Sequence, residues 1–497
     1  MLPFKTLLSL QRKSSIPVYR QIAHGLMDLI RSGIMQPGSF LPSSREMAVQ
    51  LQVHRKTVVA AYEELFSQDW IETMPRKGVR VSPLLPEIRP RTFKSVPKIN
   101  GYSADAGFSF RRMGPWVAMS PAGSKPRLVL NDGFPDARIA PIEELMKTYR
   151  RYFRLTTTER SVMYSDPAGS IRLRDAIAAF LSDSRGLNVE RSHVLISSGA
   201  QMAIYMAANM LIQNGSTVLV GEPNYPNANF IFQQLGASLI RVPVDEYGID
   251  VDRIDRICRR KKPSLLYIVP HHHHPTTVTL SADRRMKLLQ LINTHRLPVI
   301  EDDYDYDFHY GKGPILPLAT ADHGGRVIYV GSLSKCLASS IRVGYMVAPQ
   351  DFIKEASSLR RMINIRGDIL LEEALADLYH SGAMQRHIRK SVKLYRERRD
   401  RFCEMLADAM GDKIAFNVPP GGMAAWVRFR EEYPLPGIAQ EAARLGLFMS
   451  DGHFYNSGSV RYNALRMGFA SLNEQEMTEI VAILKKLTER TGRLSDS

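Results

Sequence analysis

Apolar residues recur every three to four positions through roughly the first 70 residues and in short unbroken runs beyond about residue 126, which predicts two different architectures in one chain. Over 17–33, Val18, Ile22, Leu26 and Ile30 stand at fourfold spacing between Pro17 and Gly33, the start and stop of one amphipathic helix. Ser43 precedes Glu46 by three positions, a capping-box pattern that opens a short second helix with Met47, Ala48 and Leu51 inward. A tight connection through Gln52 and Val53 leads to a third helix with Val58, Ala61, Tyr62 and Leu65 as its apolar stripe and His54, Arg55, Lys56 and Thr57 in its first turn. The stretch WIETMPRKGVRVSP then reads as strand, Pro/Gly turn, strand, with Arg76, Lys77 and Arg80 around the turn.

Beyond residue 126 the period changes. β-rich runs at 194–196, 217–220, 239–244, 265–269, 298–300, 327–330 and 343–347 alternate with helical stretches at 170–183, 200–213, 251–259 and 282–295. Continuous apolar strands with helices between them predict an α/β fold on a mainly parallel sheet covered on both faces. Between the two regimes the chain is irregular, basic and rich in Pro, Gly and Ser, as in a semi-extended tether that spans at most about 3.3 Å per residue. The expected organisation is a first domain over 10–82, a linker over 83–125 and a second domain over 126–490.

At 497 residues with 44% hydrophobic and 23% charged positions, the composition is that of a globular protein, not of a disordered or membrane chain. No run reaches the length of a membrane helix and the start lacks the features of a signal peptide, so a cytoplasmic location is expected. Cys258, Cys336 and Cys403 lie far apart and support neither a disulfide framework nor a zinc-thiolate site. The net charge of +16 is uneven: +5 within 1–80, +6 within 81–130 and +5 over the rest. An anionic partner for the first quarter follows, nucleic acid foremost.

Two short helices joined by a turn, with donors crowded at the start of the second and a basic hairpin after it, form a winged helix-turn-helix pattern, whose recognition helix enters the major groove of double-stranded DNA. The stretch from Val18 to Val81, notably PGSFLPSSREMA and VHRKTVVAAYEEL, resembles the GntR-type winged helix. That resemblance implies phosphate and base contacts from Ser44, Arg45, Arg55, Lys56, Thr57, Arg76 and Lys77.

In the second regime, polar groups gather where strands end, the place where such sheets bind ligands. Ile196 runs into Ser198-Gly199-Ala200-Gln201, the start of a helix whose free N–H groups suit a phosphate. The run 218–220 delivers Tyr225, the run 298–300 delivers Asp302 and Tyr304, and Ile328-Tyr329-Val330 delivers Lys335 among small residues. A lysine for an imine, a buried acid for a pyridine nitrogen, aromatic faces and a phosphate cradle are what pyridoxal 5'-phosphate requires. Small residues around Lys335 would let that cofactor approach the backbone closely.

The segments YSDPAGSIRLRDAI, LISSGAQMAI, GEPNYP, IEDDYDYDF, SLSKCLASSIRVGY and ALRMGFA, in this order, resemble fold-type I aminotransferases over 127–490. With the winged helix in front, the whole chain resembles a MocR-type regulator. The resemblance implies that Lys335 forms the Schiff base, Asp302 meets the pyridine nitrogen, Tyr304 the ring hydroxyl, and Tyr225 stacks on the ring. Gly199, Ala200, Gln201, Ser332, Ser334 and Arg342 would hold the phosphate, Tyr164 would reach the phosphate of a neighbouring subunit in a homodimer, and Arg466 would clamp a substrate carboxylate. Two departures stand out: His274-Pro275-Thr276-Thr277 replaces the Asn/Phe-Pro-Thr-Gly of many relatives, and Asn227 replaces an arginine found in some GABA-responsive relatives. In an extended segment at most two of His271 to His274 could share an ion, so pocket lining or a surface loop is expected for them, with no metal. Cys336 is expected to be a small buried filler.

The expected function is a regulator of transcription that senses a small amine or amino acid through its aminotransferase-like domain. A working aminotransferase with a DNA-binding appendage and a cofactor-free interaction scaffold are the alternatives.

Overall fold

The computed structural model describes residues 2–12, 14, 16–75, 77–83, 85, 105–106, 108–110, 126–155, 166–311, 313, 315–458 and 460–495. It divides into two compact units, Met1–Gly114 and Pro115–Ser497.

In the first unit the helices Val18–Arg31, Ser44–Leu51 and Arg55–Ser67 enclose a core in which Ile22, Leu26, Met47, Val58, Ala61 and Leu65 are fully buried. Burying each large apolar side chain contributes roughly 1.5–3 kcal/mol. The capping box forms as its spacing predicts: Glu46 N–H donates to Ser43 Oγ at 3.3 Å and Ser43 N–H to Glu46 Oε2 at 2.9 Å. Strands Ile71–Met74 and Gly78–Val81 pair antiparallel, from Ile71 opposite Val81 to Met74 opposite Gly78. His54 is not in the first turn of the third helix but caps it, its Nδ1 accepting from Lys56 N–H at 3.2 Å. A short helix, Phe4–Leu7, also closes on this core, with Phe4 and Leu8 buried. It explains Gly25 inside a helix, where glycine costs up to about 1 kcal/mol: a Cβ there would stand 2.5 Å from Leu8 Cδ2.

The second unit is built on an eight-stranded sheet in the order Val194–Ser197, Gly344–Val347, Val327–Ser332, Val299–Asp303, Leu265–Ile268, Thr217–Glu222, Ser238–Asp245, Gly248–Ile249. The five strands from 327–332 to 238–245 run parallel, as expected. The strand 344–347 is antiparallel to both its neighbours, and the short edge strand 248–249 is antiparallel to 238–245. Alternation along 194–197 sends Val194 and Ile196 into one apolar cluster and Leu195 into another, so both faces are covered.

Two further pairings bring distant chain segments to the sheet's ligand-binding rim. Leu128–Leu130 pairs in parallel with Leu447–Met449, and Ala424–Phe429 pairs antiparallel with Ala464–Gly468. Gly468 N–H donates to Asn131 O at 2.8 Å, and a Cβ on Gly468 would meet Gly133 N at 2.6 Å. The absence of that Cβ lets the 131–133 backbone lie against the strand carrying Arg466. Among the described residues no helix is long and apolar enough to cross a membrane.

Candidate cofactor pocket and nucleic-acid face

On the first unit, the predicted DNA contacts gather at the start of two helices. Arg55 Nε donates to Ser44 Oγ at 3.3 Å, so the second and third helices meet at that pair. Arg45, Arg55, Lys56 and Lys77 are exposed, while Ser44 and Thr57 are half-buried. Arg80 pairs with Glu72 across the hairpin and is not a free cation. Arg76 lies outside the described residues.

On the second unit, a cavity of about 410 Å³ opens at the C-terminal ends of the parallel strands. Its walls include Ala200, Gln201, Tyr225, Asp302, Tyr304, Ser332, Ser334, Lys335, Arg342 and Arg466, residues scattered across 267 positions of sequence. Tyr164 lies outside the described residues. Lys335 follows the strand 327–332 in a turn, and its Nζ donates to Gly133 O at 2.7 Å. The small residue at 331 has a more local reason than room for a cofactor: a Cβ there would stand 2.2 Å from the Tyr345 ring.

One end of the cavity is made of backbone. Gly199, at φ +91°, caps the helix Ala200–Leu211, whose first N–H groups have no partner within the helix. A Cβ at Gly199 would lie 2.7 Å from Arg342 Nη2, and one at Gly344 would lie 2.7 Å from Ala200 N. Two glycines therefore let a guanidinium and a strand close on a helix N-terminus, an anion cradle by construction. Ser332 lines this end with Ser334, whose hydroxyl donates to Ile341 O.

The other end is made of side chains. Tyr267 OH donates to Asp302 Oδ2 at 2.7 Å, while the buried Oδ1 has no hydrogen-bond partner. Burial pushes the Asp302 carboxyl up to about 7, and Asp303 and Asp305 add to the rise against the pull of Tyr267 and Lys335. Burial also brings the Lys335 amine down to about 8, against the attraction of Asp132. Tyr304 OH donates to His272 O at 2.9 Å and accepts from Arg466 Nη1 at 3.2 Å. Asn227 Nδ2 donates to Tyr225 OH at 3.0 Å, and the Tyr225 ring meets His274 edge-on at 4.9 Å.

The four consecutive histidines are all buried, which rules out the surface-loop alternative. His271 Nδ1 lies 3.5 Å from Asp303 Oδ1, His272 Nδ1 pairs with Asp305 Oδ1 at 2.9 Å, and His273 Nδ1 with Thr276 Oγ1 at 2.9 Å. Only His274 lines the cavity, its Nε2 2.8 Å from Asp132 Oδ2. Among the described residues no three His, Cys, Asp or Glu side chains are placed to share an ion. Cys336 is buried beside Asp307, as a filler would be.

Sequence reading missed Asp132, Phe134 and Ser339 as wall residues. Enclosure by the site opposes ionisation of Asp132, but His274, Arg466 and Lys335 outweigh it and hold the carboxyl down at about 2. Asp132 Oδ1 lies 3.1 Å from Arg466 Nε and accepts from Tyr455 OH at 3.2 Å. The strand pairing that joins 128–130 to 447–449 is not visible in a local pattern, so only the adjacent Gly133 could have drawn attention to this segment.

Residues 128–484 match the family model of aminotransferase class I and II, and residues 18–81 match that of the gntR family of bacterial regulatory proteins. The HTH-type transcriptional regulator YdfD of Bacillus subtilis is 28% identical, over 97% of this chain and 99% of its own. The probable rhizopine catabolism regulatory protein MocR of Rhizobium meliloti is also 28% identical, over 96% and 95%. An archaeal alanine:glyoxylate aminotransferase superposes with a TM-score of 0.69 at 28% identity, covering 74% of this chain and 92% of that one. The aminotransferase class I and II fold carries pyridoxal phosphate, and the residues present here fit it: the unpartnered Asp302 Oδ1 suits a pyridinium N–H, the Gly199–Arg342 cradle a phosphate, and the Lys335 amine an aldehyde. A gntR helix-turn-helix followed by such a domain places the chain among the MocR-type regulators, pyridoxal-phosphate-dependent DNA-binding regulators of transcription.

Proposed function

We propose that the second unit senses a small primary amine or amino acid and that the first unit reports it as a change in DNA affinity. The observation that supports this reading is the convergence on one cavity of a lysine amine, an acid with an unpartnered oxygen and a backbone anion cradle. When bound, pyridoxal phosphate supplies an aldehyde that condenses reversibly with primary amines and a ring that withdraws electrons. Lys335 would hold the aldehyde carbon, Asp302 Oδ1 would keep a proton on the ring nitrogen, and Tyr225 would cover the ring face. Gly199, Ala200, Gln201 and Arg342 would anchor the phosphate, with Ser332 and Ser334 beside it. Lys335 Nζ, which donates to Gly133 O and is attracted by Asp132, would be the group whose charge and contacts at the rim of the sheet depend on what occupies the cavity. That local change is the kind of event that shifts a conformational equilibrium.

The operator would be double-stranded DNA met by Ser44, Arg45, Arg55, Lys56, Thr57, Arg76 and Lys77, in the cytoplasm where the chain meets its genes. A homodimer fits the exposure of Phe153, Ile171, Met362 and Ile365, all at least half accessible and carried on segments near the helices Ile142–Leu155 and Ile369–His380. Two winged helices would then address two half-sites.

The test is fluorescence anisotropy of full-length protein, loaded with pyridoxal phosphate, on DNA fragments from around its own gene, with and without a panel of amines. The expected result is specific binding that falls steeply with salt and shifts with one class of amine. Binding with no fragment preference overturns the reading. Sustained conversion of amine to carbonyl product at about 1 per second or faster would instead establish the enzyme alternative.

A further inference from the structure

The ligand end of the cavity is not the bare anion clamp that Arg466 alone would make. Arg466 is ion-paired with Asp132 at 3.1 Å, its side chain is 1% exposed, and Asp132 keeps 32% of its side-chain surface accessible. An incoming molecule therefore meets the carboxylate of this pair before the guanidinium.

Asp132 is also fixed from two further sides. His274 Nε2 lies 2.8 Å from Oδ2, and Tyr455 OH donates to Oδ1 at 3.2 Å. Because the carboxylate is ionised and can only accept, the His274 contact requires hydrogen on Nε2. Burial disfavours the imidazolium form of His274, against the pull of Asp132 toward it. Two hydrogen bonds and an ion pair hold the carboxylate in place, and a ligand carboxylate approaching Arg466 would sit against it.

Phe134 adds an independent observation. Its ring centroid lies 5.0 Å from Lys335 Nζ, an aromatic face already set against an ammonium group. Beside it, the ring offers apolar surface to a short methylene chain.

Resting on the reading of the cavity as a pyridoxal phosphate and amine site, we propose that Asp132 makes this a cation-accepting pocket: the ligand is a primary amine without an α-carboxylate that carries a second ammonium group, a short diamine. One nitrogen would meet the aldehyde at Lys335, and the other would donate to Asp132, a charge-assisted hydrogen bond that an amino acid cannot offer from its carboxylate.

The test uses the full-length protein loaded with pyridoxal phosphate and reads the visible absorbance change during titration with 1,4-diaminobutane, butylamine or L-2-aminobutyrate. The expected result is half-saturation by the diamine at a concentration about tenfold or more below either of the others, with D132N reducing that preference to about threefold or less. Half-saturation by L-2-aminobutyrate at the lowest concentration, or by butylamine as readily as by the diamine, overturns the diamine assignment while leaving the cofactor site intact. The same holds if D132N folds, binds the cofactor and keeps the full preference. If no visible band forms on loading the native chain, the cofactor reading itself fails and takes the proposal with it.

Discussion

The two ends of the cavity reach the same precision by different means. At the cradle end the positioning elements are backbone: a helix N-terminus, a left-handed glycine and a second glycine that admits a strand. At the ligand end they are side chains drawn together from far apart, as with Asp132 and His274, 142 residues distant in sequence. A backbone cradle can hold an invariant group such as a phosphate without specifying what lies beyond it. A side-chain cluster can be rewritten by single substitutions, which is where a family of regulators would vary its ligand.

Substitutions at Asp302 and Gly199, the pH of loading and a substitution at Thr277 test that contrast with effects of decreasing size. Asp302→Asn removes the negative partner for a ring N–H without opening a cavity, and pyridoxal phosphate affinity, measured by absorbance titration, is expected to fall about 10- to 100-fold, the range for a hydrogen bond to a charged group. Gly199→Ala would set a methyl 2.7 Å from Arg342 Nη2 at φ +91°. Strain of about 1–2 kcal/mol and a displaced guanidinium should weaken pyridoxal phosphate about tenfold, and retention of pyridoxal lacking its phosphate should change less. An equal loss for both would show that the cradle is not specific to the anion.

Loading with pyridoxal phosphate should depend on pH through Lys335. Only the neutral amine attacks an aldehyde, and burial brings this amine down to about 8. The initial rate of appearance of the visible band should therefore rise with pH and level off above about 8; a rate still climbing tenfold per unit beyond pH 9 would mean an unshifted lysine. Thr277→Gly is the smallest change. Thr277 is held at φ +61°, where a β-branched residue is strained, and glycine should raise stability by about 1 kcal/mol, seen as a higher midpoint in calorimetry.

Local features were the most legible in the sequence. The capping box at Ser43 and Glu46 rests on a three-residue spacing, and the strand that leads to Lys335 on the apolar run Ile328-Tyr329-Val330, which continues through Gly331 to Ser332. Family resemblance named most of the cavity wall. His54 as a helix cap was local but passed unseen, because histidine is seldom the side chain that fills that position. Asp132 and its ion pair with Arg466 were illegible for a different reason: their meeting depends on Gly468 N–H bonding Asn131 O, which lays 131–133 against the strand carrying Arg466, and nothing in either segment's own pattern specifies the other. The missing glycine at 277 was visible as a departure, and the structure shows its consequence as a threonine in the left-handed region.

The whole cavity is organised around cofactor attachment at Lys335. Full-length protein incubated with pyridoxal phosphate, reduced with borohydride and digested should yield a phosphopyridoxyl mass on the peptide containing Lys335 at near-stoichiometric level. No adduct on that peptide, or labelling spread evenly over surface lysines, would mean that Lys335 does not carry the cofactor.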